Sequence, residues 1–469
     1  MARIAVIGAG MGAMATAARL AVAGHRVAVY ERSATYGGAV GRYERDGFAF
    51  DTGPGLLHLP AVYRDLFVKT GKRPLEECAE LVQVDPAVRH VLADGRTVTL
   101  PGGSHGGAAA VLDEAFGPGA GDRWSAVLGR ARDAWDATRR PLLEEPLRPD
   151  WEVLGRDPYP ALRGSGLLRR RPPTLAEVAA RELGGDGPGD LLAARVRSYG
   201  IDPATAPASA AVLPYMEQTF GSWYVRGGMR ELATAVYERC LERKVAFEFG
   251  AGVREVLVRE GRAAGLLLAD GSSVEADHVV CGVDPRLLGV ESAPGAVPAR
   301  GDGVASRHTL FLALRGPRPG DAVHRTLVHS PGALVTVLRP DDPATRPDPD
   351  HEAVTVSTVC APGAGADPRE LLDLAARTVP DLHERLLWQR AQSPADVEAA
   401  TGAAGGSVPP PALAGAGGRG LYPANSTTLP GLYLAGGWAH PGGGLAHAGM
   451  TGALVAGLIV EGAEFRGSR

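Results

Sequence analysis

Residues 3–7 run Arg-Ile-Ala-Val-Ile, an apolar stretch without polar alternation, which predicts a strand buried on both faces of a parallel sheet. An alanine-rich segment at 14–23 predicts the helix that follows, and 26–30 predicts a second buried strand. Residues 81–100 alternate in short strands around the Asp94-Gly95 turn, and 307–314 and 354–359 are also strand-like. Helical periodicity spans 230–243, and strands at 251–258, 263–268 and 278–281 are punctuated by turns at 259–262 and Asp270-Gly271. Residues 118–200 carry a mostly helical pattern broken by prolines, 340–348 is a Pro/Asp-rich loop, and a last helix is predicted from about 446 to 461. No internal repeat is visible.

Composition narrows the class. In 469 residues, 45% are hydrophobic and 22% charged, enough apolar material for a packed core and against a disordered chain. The 64 glycines and 37 prolines have no triplet period, so they signify turns and close backbone approaches rather than collagen. A net charge of −4 provides no global basic field, so nucleic acid is not an expected partner. Cys78, Cys240, Cys281 and Cys360 are widely spaced, and no metal site or disulfide framework is read from them. The chain enters its first strand with no charged n-region and h-region before it, and the longest apolar run, 453–460, is too short to span a bilayer. The expectation is a cytoplasmic protein, soluble or peripherally membrane-associated.

The first strand leads into Gly8-Ala9-Gly10-Met11-Gly12-Ala13, a GxGxxG/A pattern that opens the helix. Gly8 permits the tight turn, Gly10 lets backbone approach a pyrophosphate, Ala13 lets the helix pack on the strand, and the helix N–H groups aim at phosphate. The second strand ends in Glu31, about 20 residues after the glycines, where a carboxylate accepts hydrogen bonds from the adenosine ribose. Arg32 beside it raises the alternative of a 2′-phosphate and hence NADP, against which the acid in the ribose position argues.

Gly37-Gly38 and the segment Asp46-Gly47-Phe48-Ala49-Phe50-Asp51-Thr52-Gly53-Pro54 complete a layout that resembles the flavoprotein superfamily of phytoene desaturases, amine oxidases and Rab GDP-dissociation inhibitors. The C-terminal segment from Gly431 through Gly436-Gly437-Trp438-Ala439-His440-Pro441 to Gly444 resembles the carotenoid-desaturase branch more narrowly, as does Leu213 to Glu217 followed by Gly221 to Met229. The resemblance covers nearly the whole chain and is weakest at about 106–190. It departs from the family at Ala39, where Arg is usual and Arg42 stands three residues later, and at Ala446-His447-Ala448, where Pro-Gly-Val is common.

The resemblance implies an α/β fold: a Rossmann-like FAD-binding domain (1–75, 220–290 and 420–469), a discontinuous mixed-sheet substrate domain (76–105 and 291–419) and a helical, membrane-facing subdomain (106–219). It implies non-covalent FAD held by Gly8, Gly10, Met11, Gly12, Ala13, Glu31, Arg32, Gly37, Gly38, Ala39, Gly53, Pro54, Gly55, Val253, Gly436, Gly437, Leu445 and Ala448. With one dinucleotide fingerprint and no second, FAD is the sole expected redox cofactor, reoxidised by oxygen or a quinone. The implied reaction is hydride transfer from an allylic CH₂ of a long apolar, isoprenoid chain to flavin N5, while the adjacent carbon loses a proton. Glu217 is the first candidate base, with an exposed helix carboxylate as its plain alternative, and His440 and His447 are placed to hydrogen-bond the flavin or titrate near neutral pH. Arg195, Arg197, Tyr215, Trp223 and Trp438 are candidate substrate contacts, and Leu167-Leu168-Arg169-Arg170-Arg171 is a candidate membrane contact or an exposed loop. An amine oxidase would need a lysine near flavin N5, and the three lysines, Lys69, Lys72 and Lys244, do not fall at the expected sheet position. A polyene saturase or isomerase and a non-enzymatic prenyl-binding protein are the remaining readings.

Overall fold

Alternate residues of the first strand (Arg3–Ile7) face two different layers: Ile4 and Val6 pack against helices, while Ala5 and Ile7 pack against a second sheet. Burial on both sides is why this strand reads as unbroken apolar sequence. The computed structural model describes residues 1–162, 171–184, 187–290 and 304–467. The parallel sheet runs in the spatial order Ala246–Phe249, Arg26–Glu31, Arg3–Ile7, His278–Cys281, Leu432–Leu434, so its strands come from three distant stretches of chain. Helices Met11–Val22, Met229–Glu242 and Leu445–Glu461 cover one face. The antiparallel strands Val253–Arg259, Arg262–Leu268 and Ser273–Glu275 cover the other through Ala263, Leu266 and Leu268.

A seven-stranded mixed sheet forms the second layer, in the order Leu386–Gln392, Ser306–Arg315, His351–Cys360, Ala333–Leu338, Arg325–Ser330, Val88–Val91, Thr97–Leu100. Leu310, Leu312, Val335, Val337, Val354 and Val356 point to one side, onto helix Pro368–Ala376. The opposite face looks toward the parallel-sheet region and the helical layer built from His105–Phe116, Ala120–Arg139, Leu175–Glu182, Pro188–Arg197 and Val212–Phe220. Helix Leu175–Glu182 starts on a capping box, Thr174 and Glu177 each bonding the other's backbone, which marks its first turn in the sequence as well.

One expectation needs correcting. Leu81–Gln83 does not join the large sheet with the rest of 81–100; it pairs with Ser222–Val225, which also takes Leu57–His58, in a separate three-stranded sheet. Short strands of this kind carry no sequence mark of their partner. Leu167 to Arg170 lie outside the described residues, whereas Arg171 is an exposed partner of Glu177. Among the described residues no helix is long and apolar enough to cross a membrane.

Candidate active site

The glycine loop folds as its spacing requires. Gly8 adopts φ +86°, and its N–H donates to the Tyr30 carbonyl at 2.8 Å. The first helix has no side-chain cap, so its leading N–H groups are free at that end. A Cβ placed on Gly10 meets nothing within 4 Å, so backbone borders open space beside those donors. Gly37-Gly38 closes over the same loop: Gly37 N–H donates to Ala9 O at 2.8 Å, and a Cβ on Gly38 would lie 3.0 Å from Gly10 Cα. Glu31 accepts from the N–H groups of Ala9 (2.7 Å) and Ser33 (2.8 Å), which fixes its carboxylate at the mouth of the loop. An anion-binding helix end, backbone with no side chains in the way and an oriented carboxylate fit a dinucleotide.

Gly12 ties this loop to the chain's other end, since a Cβ there would sit 2.6 Å from Ala448 O and 2.7 Å from Gly436 Cα. Ala13 is packed as closely against Gly282, where a Cβ would lie 2.7 Å from its own. Gly436 N–H donates to Thr451 Oγ1 at 2.9 Å, and the Leu445 carbonyl accepts from the Tyr63 hydroxyl at 2.9 Å. The last helix follows Gly444 with no side-chain cap, leaving its first-turn N–H groups unsatisfied by side chains. Met11 is buried under the sheet, and Val253 begins the strand tethered by the bond from Ala251 N–H to Glu31 O (2.9 Å). Arg32 turns away from the loop, donating to the Ala399 carbonyl at 2.8 Å. Ala39 backbone abuts Gly53, and a Cβ on Gly55 would lie 2.6 Å from Leu338, so Gly53-Pro54-Gly55 rests on the mixed sheet.

Two residues that the sequence reading did not count among the site candidates hold this region together. Arg230 stacks on Tyr36 at 4.0 Å and donates to Val40 O (3.1 Å) and Thr35 Oγ1 (2.6 Å), clamping the Gly37-Gly38 loop. Asp51 accepts from Met229 N–H at 2.8 Å and so caps the helix Met229–Glu242 from another segment, with burial as the main cause of a pKa raised to about 6. Both lie inside recognisable motifs, yet their partners are more than a hundred residues away, so spacing gave no signal. Arg42, the residue near the family's missing arginine, is held by Glu44 (2.7 Å) and Glu231 (3.4 Å).

Two cavities flank the site. One lies between Gly53, Gly55, Tyr224 and Gly228 on one side and Leu338 and Thr355 of the mixed sheet on the other. The second is mainly apolar, bordered by Trp135, Leu143, Val212, Leu213 and Met216 of the helical layer and by His447 of the last helix. Burial pushes the His447 imidazole down to about 4, so it is neutral at pH 7.

The remaining candidates separate. Glu217 is buried and doubly paired: Arg195 Nε lies 2.6 Å from Oε2, and Arg325 reaches both oxygens. Burial raises its pKa, but Arg195, Arg325 and His58 outweigh this and hold it below the usual carboxylate range. A carboxylate so occupied is a poor proton acceptor, which corrects its expected part as base; the plain alternative of an exposed helix carboxylate is also wrong. Arg195 is thereby an ion-pair partner that also stacks on Tyr199, while Arg197 is exposed and borders neither cavity. His440 is fully buried, its Nε2–H donating to the Glu145 carbonyl at 3.0 Å, and burial lowers it to about 4. Tyr215 packs edge-on to Phe220 in the helical core. Trp223 donates to Phe220 O (2.9 Å) under Arg64, and Trp438 lies under Arg286; neither borders a cavity. All three lysines are exposed, so none reaches the interior.

Comparison with known proteins agrees with this geometry. Over 98% of its length the chain is 26% identical to the 4,4'-diapolycopene oxygenase of Methylomonas sp, covering 98% of that protein. It is 29% identical to the hydroxyneurosporene desaturase of Cereibacter sphaeroides, over 98% of the chain and 97% of the relative. In fold it matches the cyclohexylamine oxidase of Brevibacterium oxydans with a TM-score of 0.63 at 16% identity, over 98% of this chain and 99% of that one. The family model described as flavin containing amine oxidoreductase matches residues 14–460. With a dinucleotide cradle that fits FAD and a family match over nearly its whole length, the chain is an FAD-dependent oxidoreductase and belongs to the flavin containing amine oxidoreductase family.

Proposed function

We propose that the protein dehydrogenates a long apolar, isoprenoid chain of carotenoid type, removing a hydride from an allylic carbon and a proton from its neighbour. The observation that carries this reading is the apolar cavity between the helical layer and the start of the last helix, where Trp135, Leu143, Leu213 and Met216 offer a hydrocarbon surface and His447 a single imidazole. Relatives named as carotenoid desaturases and oxygenases support the same substrate class. FAD, when bound, supplies the two-electron acceptor. The chain's part is to orient and keep dry: the glycine loop and Glu31 hold the nucleotide, and the uncapped start of Leu445–Glu461 presents N–H donors where negative charge develops. His447, neutral and bordering the cavity, is the proton acceptor in this reading, while Glu217 anchors helix Val212–Phe220 to the mixed sheet and His440 buttresses the loop before the last helix. The test is anaerobic flavin absorbance of the holoprotein mixed with phytoene-loaded liposomes, followed by extraction of the polyene. Bleaching with a lengthened chromophore supports dehydrogenation; flavin that stays oxidised with phytoene and with its partly desaturated products sinks it.

A further inference from the structure

One helix grips the loop that closes on the glycine run. Arg230, Thr234 and Tyr237 stand at i, i+4 and i+7 of Met229–Glu242 and so share a face of that helix. All three meet Tyr36: Tyr237 stacks on its ring at a centroid distance of 4.0 Å, Thr234 Oγ1 lies 3.1 Å from its hydroxyl, and the Arg230 guanidinium covers the ring at 4.0 Å. Arg230 also donates to the carbonyls of Tyr36 and Val40 and to Thr35 Oγ1, which ties the loop together on both sides of Gly37-Gly38. The chain crosses the guanidinium closely. A Cβ on Gly37 would lie 2.6 Å from Arg230 Nη1, and its φ of +102° favours glycine there as well. The helix start is itself fixed, since Asp51 Oδ1 accepts from the N–H groups of Met229 (2.8 Å) and Arg230 (3.4 Å).

The charges around this loop are not alike. Arg42 is neutralised by Glu44 and Glu231, Arg32 turns away to the Ala399 carbonyl, and position 39, where the family usually has arginine, is alanine. Arg230 is half-buried, and its side-chain hydrogen bonds all go to neutral oxygens; its chain neighbour Glu231 faces Arg42 instead. Among the described residues no carboxylate pairs with the Arg230 guanidinium, so its charge stands uncompensated. The glycine run lies on the other side of the loop. The Tyr36–Gly37 peptide shows the sense, because its carbonyl accepts from Arg230 while its N–H donates to Ala9 O at 2.8 Å. Gly38 there approaches Gly10 Cα to 3.0 Å from its Cβ direction, and Gly10 borders open space. The guanidinium therefore lies one thickness of chain behind the space where the glycine run receives a diphosphate, whose two negative charges supply the missing counterpart.

We infer that Arg230 is a positioning residue for FAD: acting from behind the Gly37-Gly38 loop, it supplies the fixed positive charge of the diphosphate cradle that position 39 lacks in this chain. The assignment concerns the cofactor and stands apart from the isoprenoid reading. It is tested by diluting the holoprotein and following FAD release as the rise in flavin fluorescence, in low and in high salt. Arg230→Gln should release FAD at least about tenfold faster than the parent, as loss of one partly screened charge near the diphosphate predicts. High salt should speed release from the parent more than from this variant, which has no charge left there to screen. Arg230→Lys keeps the charge without the planar fork and should fall between the two. Ala39→Arg added to Arg230→Gln should restore slow release, which a side chain that only staples the loop would not allow. Release from Arg230→Gln at the parent's rate overturns the inference. Fast release that neither Lys nor Ala39→Arg relieves, with the same salt response in parent and variant, overturns it too, because the arginine then acts as a staple alone. Where Arg230→Gln does not fold, the Lys variant decides: FAD retained with the parent's salt response supports the charge, and FAD lost irrespective of salt overturns it.

Discussion

Replacing Glu217 by Gln removes the only carboxylate among the described residues that pairs with Arg195 and Arg325, two side chains 13% and 6% exposed beside a Glu217 that is itself 10% exposed. Two guanidinium charges then remain buried without a countercharge. Breaking one side of such a pair costs about 3–5 kcal/mol, and because the amide oxygen still accepts one bond, the lower end, about 3 kcal/mol, is expected. The pH dependence has a definite sign. Folding depresses this carboxyl below its unfolded value of 4.5, so its contribution is fully present above that pH and is lost as pH falls through the folded pKa. Urea unfolding of parent and Glu217→Gln at pH 7 should therefore differ by about 3 kcal/mol, and the difference should shrink below pH 4.5. If the single variant fails to fold, Glu217→Gln with Arg195→Met and Arg325→Met recovers most of the stability, as neutral replacement of a whole buried ion cluster generally does. Stopped-flow flavin reduction supplies the other half of the test. A general base at Glu217 would make the variant slower by roughly 10²–10⁴ with stability intact. That outcome, unfolding within about 0.5 kcal/mol of the parent alongside a rate loss of this size, would refute the anchoring role.

Gly12→Ala forces a methyl group to within 2.6 Å of Ala448 O and 2.7 Å of Gly436 Cα, so it should cost about 1–3 kcal/mol and lower the ratio of flavin to protein absorbance after purification. Glu31→Ala leaves the N–H groups of Ala9 and Ser33 without acceptors and should weaken FAD by at least about tenfold, read from flavin fluorescence quenching on reconstitution. Asp51 has a pKa raised from 3.8 to about 6, so the folded state holds its proton more tightly and stability falls as pH rises through that interval; Asp51→Asn should remove on the order of 2–3 kcal/mol of this dependence in pH-resolved thermal unfolding. His447→Phe fills the cavity edge without a proton acceptor, and slowing of flavin reduction by about 10²-fold with unchanged flavin binding is the expected result.

The elements built from local pattern were legible in the chain. Apolar 3–7, the glycine run and the acid at position 31 share a mechanism that operates within some thirty residues, so spacing alone carried it. The last helix, expected to begin at about 446, begins at Leu445, because Gly442 to Gly444 cannot favour an earlier turn of helix. What pattern could not show was partnership across the fold. Glu217 looked like a carboxylate at the end of an apolar stretch, and its meaning changed once the sheet delivered Arg325 to it. His440 sat in a flavin-loop motif, yet the loop turns its ring toward the Glu145 carbonyl.

Sequence by itself therefore determined the dinucleotide cradle, the α/β class and the family, since these depend on glycine conformations and hydrophobic periods written over short stretches. Tertiary structure decided which charges are paired, which imidazole borders a cavity and which guanidinium backs the Gly37-Gly38 loop. Arg230 and Val40 belong to distant stretches of chain, and only the packing of helix Met229–Glu242 on the parallel sheet brings them together. That packing is set by whole faces, so no local pattern could have announced it.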